Sequence, residues 1–284
     1  MKILILAALF VSFNLLASVE QYPEERVYTA QDRGMRPYMA SSLYDTHQFS
    51  LTFDDGPHPT RTEPILNVLK KYNVKATFFV LTDKLNEGNF HIVKRILDEG
   101  HTLASHGPSH DRSGTLSREE WKKQTKSSFE VLASWYKRAD HEFTQFYYRF
   151  PYGDYGTRSD YHHINVLKEL SEELFQDNCI HMVFWDVDTS DWVPGMTGKE
   201  VAQNIIAFNE GGKYIDFKKQ GSTYIKVPVT VKNPTRGGVI LQHDIHETSV
   251  SGIEIFLKYA QENQVKILPL NDVDEFKNDR NCKL

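Results

Sequence analysis

Apolar positions along the chain fall into short runs separated by stretches of helical periodicity. The runs are Phe49–Phe53, Ala76–Leu81, Thr102–Ala104, Phe146–Tyr148, Met182–Trp185, Gly238–Leu241 and Lys266–Leu268. Each has strand length, and most are bounded by polar or turn-forming residues. Between the first two, Ile65, Leu66, Leu69 and Tyr72 recur at helical spacing behind Pro64, a residue suited to a helix's first turn. Ser117 with Glu120, and Thr197 with Glu200, form the pattern in which two side chains satisfy the free N–H groups of a helix start. The first opens a helix reaching about Lys137, the second a helix over Val201–Phe208. Ile253, Phe256, Leu257 and Ala260 mark one apolar helical face. Seven strand–helix alternations predict an α/β fold with a parallel sheet, a distorted (β/α) barrel of about seven strands.

Residues 209–237 break that rhythm. Tyr214–Phe217 leads into the polar stretch Lys218–Ser222, and Thr223–Val231 then alternates apolar and polar positions, which predicts an inserted β-hairpin. At the N-terminus, Lys2 precedes an apolar run from Ile3 to Ala17, followed by Ser18-Val19-Glu20. That run is short of the roughly 20 residues a spanning helix needs, so residues 1–18 read as a cleaved signal peptide rather than a membrane anchor. No cysteine follows to carry a lipid. The expected layout is a signal peptide (1–18), an extension packed on the outside (19–46), the main domain (47–276) and a short tail (277–284). The mature protein is expected in the periplasm or outside the cell. Cys179 and Cys282 then sit where a disulfide is chemically possible, though spacing alone does not pair them.

Composition narrows the partners. The 284 residues carry 33 Lys and Arg against 38 Asp and Glu, a net charge of −5. Such a balance leaves no electrostatic footprint for nucleic acid or an anionic membrane. With 40% apolar and 25% charged residues the chain is globular rather than disordered.

The polar residues that need explaining fall at the C-terminal ends of the expected strands, where β/α enzymes build active sites. Thr52-Phe53-Asp54-Asp55-Gly56-Pro57 ends a strand on two adjacent carboxylates, which repel each other unless one binds a cation and the other pairs with an arginine or serves as a base. His106 and His110 lie four apart, as on one side of a helical turn, and with an aspartate they leave coordination positions open, the mark of a catalytic metal site. Arg149, in Tyr148-Arg149-Phe150-Pro151-Tyr152, suits holding a carboxylate. Trp185–Trp192 alternates acids with aromatic walls, and Leu241-Gln242-His243-Asp244 ends another strand on an imidazole.

In this order the clusters resemble the polysaccharide deacetylase family (NodB homology domain, carbohydrate esterase family 4). Its first motif, T-F-D-D-G-P, is Thr52–Pro57 unchanged; its R-x-P-Y is Arg149–Tyr152; its W-x-x-D-x-x-D-W is Trp185–Trp192; its L-x-H-D is Leu241–Asp244. The second motif departs, with Gly107 where the family has Ser or Thr between the two histidines.

The resemblance implies Asp55, His106 and His110 as metal ligands and Asp54 as the base that takes a proton from the attacking water. It implies Arg149 orienting Asp54 and the Tyr152 N–H facing the oxyanion. His243 would be the acid, with Asp191 stabilising its charged form, and Trp192 and Leu241 would flank the acetyl methyl. His246 competes with His243 for the acid's role, and His243 matches the family position. The remaining histidines (His47, His58, His91, His101, His141, His162, His163 and His181) read as structural or surface residues. Imidazole and carboxylate donors suit zinc, and also cobalt or nickel. The implied reaction is removal of N-acetyl groups from an N-acetylglucosamine polymer, peptidoglycan first and chitin oligomers second. Acetyl-xylan O-deacetylation belongs to the same family. A non-catalytic glycan-binding protein is the reading from another class, and it would need neither Asp54 nor His243.

Overall fold

The computed structural model describes residues 39–156, 163–278, 280 and 282–284. The expected signal peptide, most of the 19–46 extension and His162 lie outside them. The elements run β1 (Gln48–Asp54), α1 (Thr62–Lys71), β2 (Ala76–Val80), α2 (Phe90–Asp98), β3 (Thr102–Ser105), α3 (Arg118–Arg138), β4 (Phe146–Tyr148), α4 (His163–Phe175), β5 (Ile180–Met182) and β6 (Val187–Asp188). There follow α5 (Gly198–Glu210), β7 (Gly212–Gln220), β8 (Thr223–Val231), β9 (Gly237–His243), α6 (Glu247–Glu262) and β10 (Lys266–Ile267). Both expected capping boxes are present, with Ser117 accepting from the Glu120 N–H and Thr197 from the Glu200 N–H. Among the described residues no helix is long and apolar enough to cross a membrane.

Seven parallel strands in the order β5-β4-β3-β2-β1-β9-β6 curl through 203° into a half-barrel, the distorted (β/α) barrel the alternation predicts. β10 pairs with the start of β1, and β7–β8 forms a separate antiparallel hairpin. The expected strand Met182–Trp185 is corrected: β5 ends at Met182, and the chain crosses from one end of the strand order to the other before β6 begins at Val187. The carbonyls of Val183 and Phe184 in that crossing are taken by the Arg149 guanidinium, at 2.8 and 3.3 Å, so a side chain does there what a neighbouring strand does elsewhere.

Strand alternation divides the interior in two. Phe49, Leu51 and Phe53 of β1 face the helices in a cluster that includes Ile65 and Leu69 of α1 and Phe256 of α6. Ser50, Thr52 and Asp54 face the barrel's inside, where Phe79, Tyr147, Val183 and Val239 close the lumen. Ala40 and Leu43 belong to this second cluster and are buried, so residues 39–46 do not lie on the outside as expected. Leu43 passes so close to β9 that a Cβ on Gly237 would lie 1.9 Å from its carbonyl oxygen, which requires glycine there. The tail is fastened too: Cys179, just before β5, is bonded to Cys282.

Candidate active site

The parallel register aligns the strand ends. Asp54 is opposite His243 of β9 and Phe79 of β2, so the last residues of three neighbouring strands share one edge. Adjacent residues on a strand point to opposite sides, and Asp55 enters a left-handed conformation (φ 73°), which separates two bonded carboxylates. Asp54 turns into the lumen, where Arg149 Nη1 donates to its Oδ1 at 2.7 Å and to Thr52 Oγ1 at 2.7 Å. The arginine is fully buried, its guanidinium 4.2 Å from the Phe79 ring centre. Burial raises the Asp54 carboxyl above the ordinary carboxylate range, and the Arg149 charge pulls against that.

Asp55 Oδ1 faces both histidines: His106 Nε2 is 3.6 Å away and His110 Nε2 3.4 Å. These are too long for hydrogen bonds, and Asp55 Oδ1 is buried with no hydrogen-bond partner. The three ligand atoms lie within 4.8 Å of one another. Donors on a tetrahedral ion with bonds of ~2.0–2.2 Å stand roughly 3.3–3.6 Å apart, so the observed spacing and the His₂Asp donor set fit a divalent metal. His106 Nδ1 donates to the Arg149 carbonyl at 2.8 Å, which fixes the tautomer with the Nε2 lone pair toward Asp55. Burial lowers its pKa to about 3, so the ring is neutral as a ligand must be. The two histidines do not converge through a helical turn as expected. They meet through an irregular loop that turns at Gly107 (φ 82°), where the Gly107 N–H donates to Ser105 Oγ (3.2 Å), itself bonded to Ser128 of α3. Ser105 and Ser128 supply the polar support that a hydroxyl at position 107 would give.

On the far side of β9, His243 Nδ1 donates to Asp191 Oδ1 at 2.8 Å. Burial alone would lower the His243 pKa, and the Asp191 carboxylate overrides it and raises it to about 10. Asp191 is held below the carboxylate range: burial pushes it up, outweighed by the His243 charge and by donors from the His243 N–H (2.7 Å) and the Ser249 hydroxyl (2.5 Å). His246 is half-buried, its ring centre 5.7 Å from that of His243, and burial lowers its pKa. The pair with Asp191 therefore separates the two histidines: His243 is the protonated one. Behind them, burial raises the Asp244 carboxyl to about 7; it packs so tightly against Gly56 that a Cβ there would lie 2.1 Å from Oδ2.

These groups line one cavity of about 430 Å³ that also contains Tyr152, Trp192 and Leu241, so all ten residues singled out from the sequence lie at or beside it. Tyr152 is 54% exposed and left-handed (φ 59°), its ring between His110 (4.3 Å) and the Arg112 guanidinium (4.2 Å). Sequence reasoning missed four residues here. Arg112 and Ser249 carry no local signal. Phe217 and Tyr224, also on the cavity wall, come from the hairpin, whose alternation was visible but not its docking.

Residues 44–170 match the family described as "Polysaccharide deacetylase". A peptidoglycan-N-acetylglucosamine deacetylase of Bacillus cereus is 34% identical over 179 residues, 63% of this chain and 58% of that protein. The peptidoglycan-N-acetylmuramic acid deacetylase PdaC of Bacillus subtilis is 27% identical over 234 residues, 82% of this chain and 40% of that protein. The chain thus spans about half the length of these curated relatives. A crystal structure of a peptidoglycan N-acetylglucosamine deacetylase in complex with a naphthyl-substituted N-hydroxybenzamide superposes with a TM-score of 0.62 at 26% identity, covering 84% of this chain and 92% of that one. Motifs, fold and relatives agree, and the chain belongs to the polysaccharide deacetylase family.

Proposed function

We propose that this chain is an exported, metal-dependent hydrolase that removes N-acetyl groups from an N-acetylglucosamine-containing glycan, peptidoglycan foremost, and releases acetate. The observation that carries this reading is the pairing of two opposed devices across one cavity: a carboxylate whose basicity burial raises, and an imidazole that Asp191 keeps protonated. A binding protein has no use for either.

Asp55, His106 and His110 would hold the ion, zinc by preference with cobalt or nickel as substitutes. When bound, a divalent ion supplies Lewis acidity that activates water and polarises the acetyl carbonyl. Asp54 accepts the proton of the attacking water, held by Arg149 in the orientation that aims its second oxygen at the cavity. The left-handed turn at Tyr152 directs its N–H toward the developing oxyanion. His243 gives its proton to the departing amine, and Asp191 stabilises the charged ring until then. Trp192 and Leu241 shut water away from the acetyl methyl. The relatives' names support peptidoglycan as the substrate, and residues 1–18 supply the route to it.

The test is mass spectrometry of peptidoglycan after incubation with zinc-loaded protein, alongside metal analysis of Asp55→Asn. Loss of 42 Da per sugar (one acetyl replaced by hydrogen, roughly the amide-to-amine difference expected for such a hydrolase) and a metal-poor Asp55→Asn are the expected results. Unchanged glycan with a fully loaded wild type sinks the proposal.

A further inference from the structure

The hairpin β7–β8 lies outside the parallel β/α order, yet it reaches the catalytic cavity. Its strands pair from Gly212↔Val231 to Gln220↔Thr223, with Phe217 opposite Lys226 and Lys219 opposite Tyr224. Directly opposed residues share a face of a sheet, so Ile215, Phe217 and Tyr224 point the same way. Ile215 roots that face in the apolar cluster of Val193, Met196 and Val201. Above it, Phe217 meets the Trp192 ring edge-on at 4.4 Å and Tyr224 meets it at 5.0 Å, while the two are 5.8 Å from each other.

Rings that merely propped Trp192 would be buried behind it. Phe217 and Tyr224 are instead half-buried on the cavity wall that also holds Asp54 and His243. A pyranose ring presents an apolar C–H face with hydroxyls at its rim, and its chemical complement is an aromatic surface whose edge remains wet. We propose that Phe217 and Tyr224, continuing the wall begun by Trp192, form a stacking subsite for the sugar next to the one that loses its acetyl group. The hairpin is then the element that makes the enzyme prefer a long glycan to a short one. This inference rests on the deacetylase reading above and names the part of its substrate that the catalytic residues do not touch.

The experiment compares wild type with Phe217→Ala/Tyr224→Ala, which leaves Ile215 and the Lys226–Glu200 ion pair at the hairpin's root in place. Acetate release is followed on N-acetylglucosamine dimer and pentamer, and pentamer binding by Trp fluorescence. Expected is a KM for pentamer raised about tenfold, the scale of losing two ring contacts, with an equal loss in binding and the dimer changed less than about twofold. Phe217→Leu, which keeps apolar bulk without a ring, repeats the test with less disturbance and should show a smaller shift of the same kind. An equal loss in kcat on both lengths would show that the rings only position Trp192, and an unchanged pentamer KM would show that they touch no sugar; either overturns the subsite. If wild type binds pentamer but frees no acetate from any glycan, the deacetylase reading fails by itself. The binding titration then decides the subsite: weaker binding in the variant supports it, and equal binding overturns it.

Discussion

The two halves of the active site are built by different means. Asp54 and Asp55 end a strand paired along all seven of its residues with β9, and His106 follows a strand paired at every position with β2. Asp191 and Trp192 follow β6, a strand of two residues, and their loop is held by side chains. Asn204 of α5 donates to the carbonyls of Thr189 (3.0 Å) and Ile215 (2.8 Å) and accepts from the Ile215 N–H (2.7 Å), while the Tyr214 hydroxyl donates to the Asp188 carbonyl. One half is therefore positioned by backbone ladders, the other by a few tethers from distant residues. A ladder spreads its tolerance over many bonds, whereas a tether concentrates it in one side chain. Substitutions in the two halves should differ accordingly.

The largest effect is expected at Asp54, where chemistry and not placement is at stake. Asp54→Asn still accepts from Arg149 but cannot take a proton from water, so kcat should fall by ~10²–10⁴ with metal content unchanged. Loss of metal instead would move Asp54 into the ligand set. Next comes the acid. His243→Ala should lower kcat by roughly 10²-fold or more, and His246→Ala by no more than about threefold, because only His243 pairs with Asp191. Steady-state kinetics of the pair decides it, and the reverse ranking would reassign the acid.

Asn204→Ala sharpens the comparison directly. It strips partners from three buried backbone groups and should cost about 1–3 kcal/mol. Hydrogen exchange should quicken at Ile215 and through 189–193 while the amides of β1 stay protected. Uniform quickening would mean that the two halves open as one.

The smallest effect lies away from the site. His101 accepts from the Ala76 N–H, and burial, helped by Lys75, lowers its pKa to about 4 from the ordinary 6.5. The unfolded chain binds this proton first as pH falls, so His101's contribution is present above pH 6.5 and is lost between about 6.5 and 4. His101→Asn keeps an acceptor but does not titrate there. Urea unfolding at several pH values should show the wild type losing stability relative to the variant across that window, and parallel curves would remove His101 from the acid response.

What was legible in the sequence follows the same division. The ladder-built half announces itself, because β1 and β9 are apolar runs that end abruptly in acids and an imidazole. The capping boxes at Ser117 and Thr197 were equally plain, being local chemistry. The β5–β6 crossing was misread as a strand because its apolar residues are buried without a strand partner, and the Arg149 side chain that replaces one is 34 residues away from Val183. The His106–His110 pair was identified correctly for a geometry it does not have, since Gly107 turns the loop where a helix was expected. Helices α2 and α4 were not singled out, although Ile92, Val93, Ile96 and Leu97 carry the period. Ser249, Asn204, Phe217 and Tyr224 gave no signal of their own, because each matters through a partner that only the folded chain supplies.

The bond between Cys179 and Cys282 divides the chain along nearly the same line. It closes a covalent ring across a sequence separation of 103 residues. Asp191, Trp192, the hairpin and His243 all lie within the ring, while Asp54, Asp55, His106, His110 and Arg149 lie on the open chain before it. The acid and its aromatic wall are thus carried by a lasso whose strands β6 and β9 dock on β1 of the open part. A protease that cuts the exposed hairpin turn at Gly221 severs the backbone without releasing a fragment, and the nicked protein runs as one species until a reductant opens the ring.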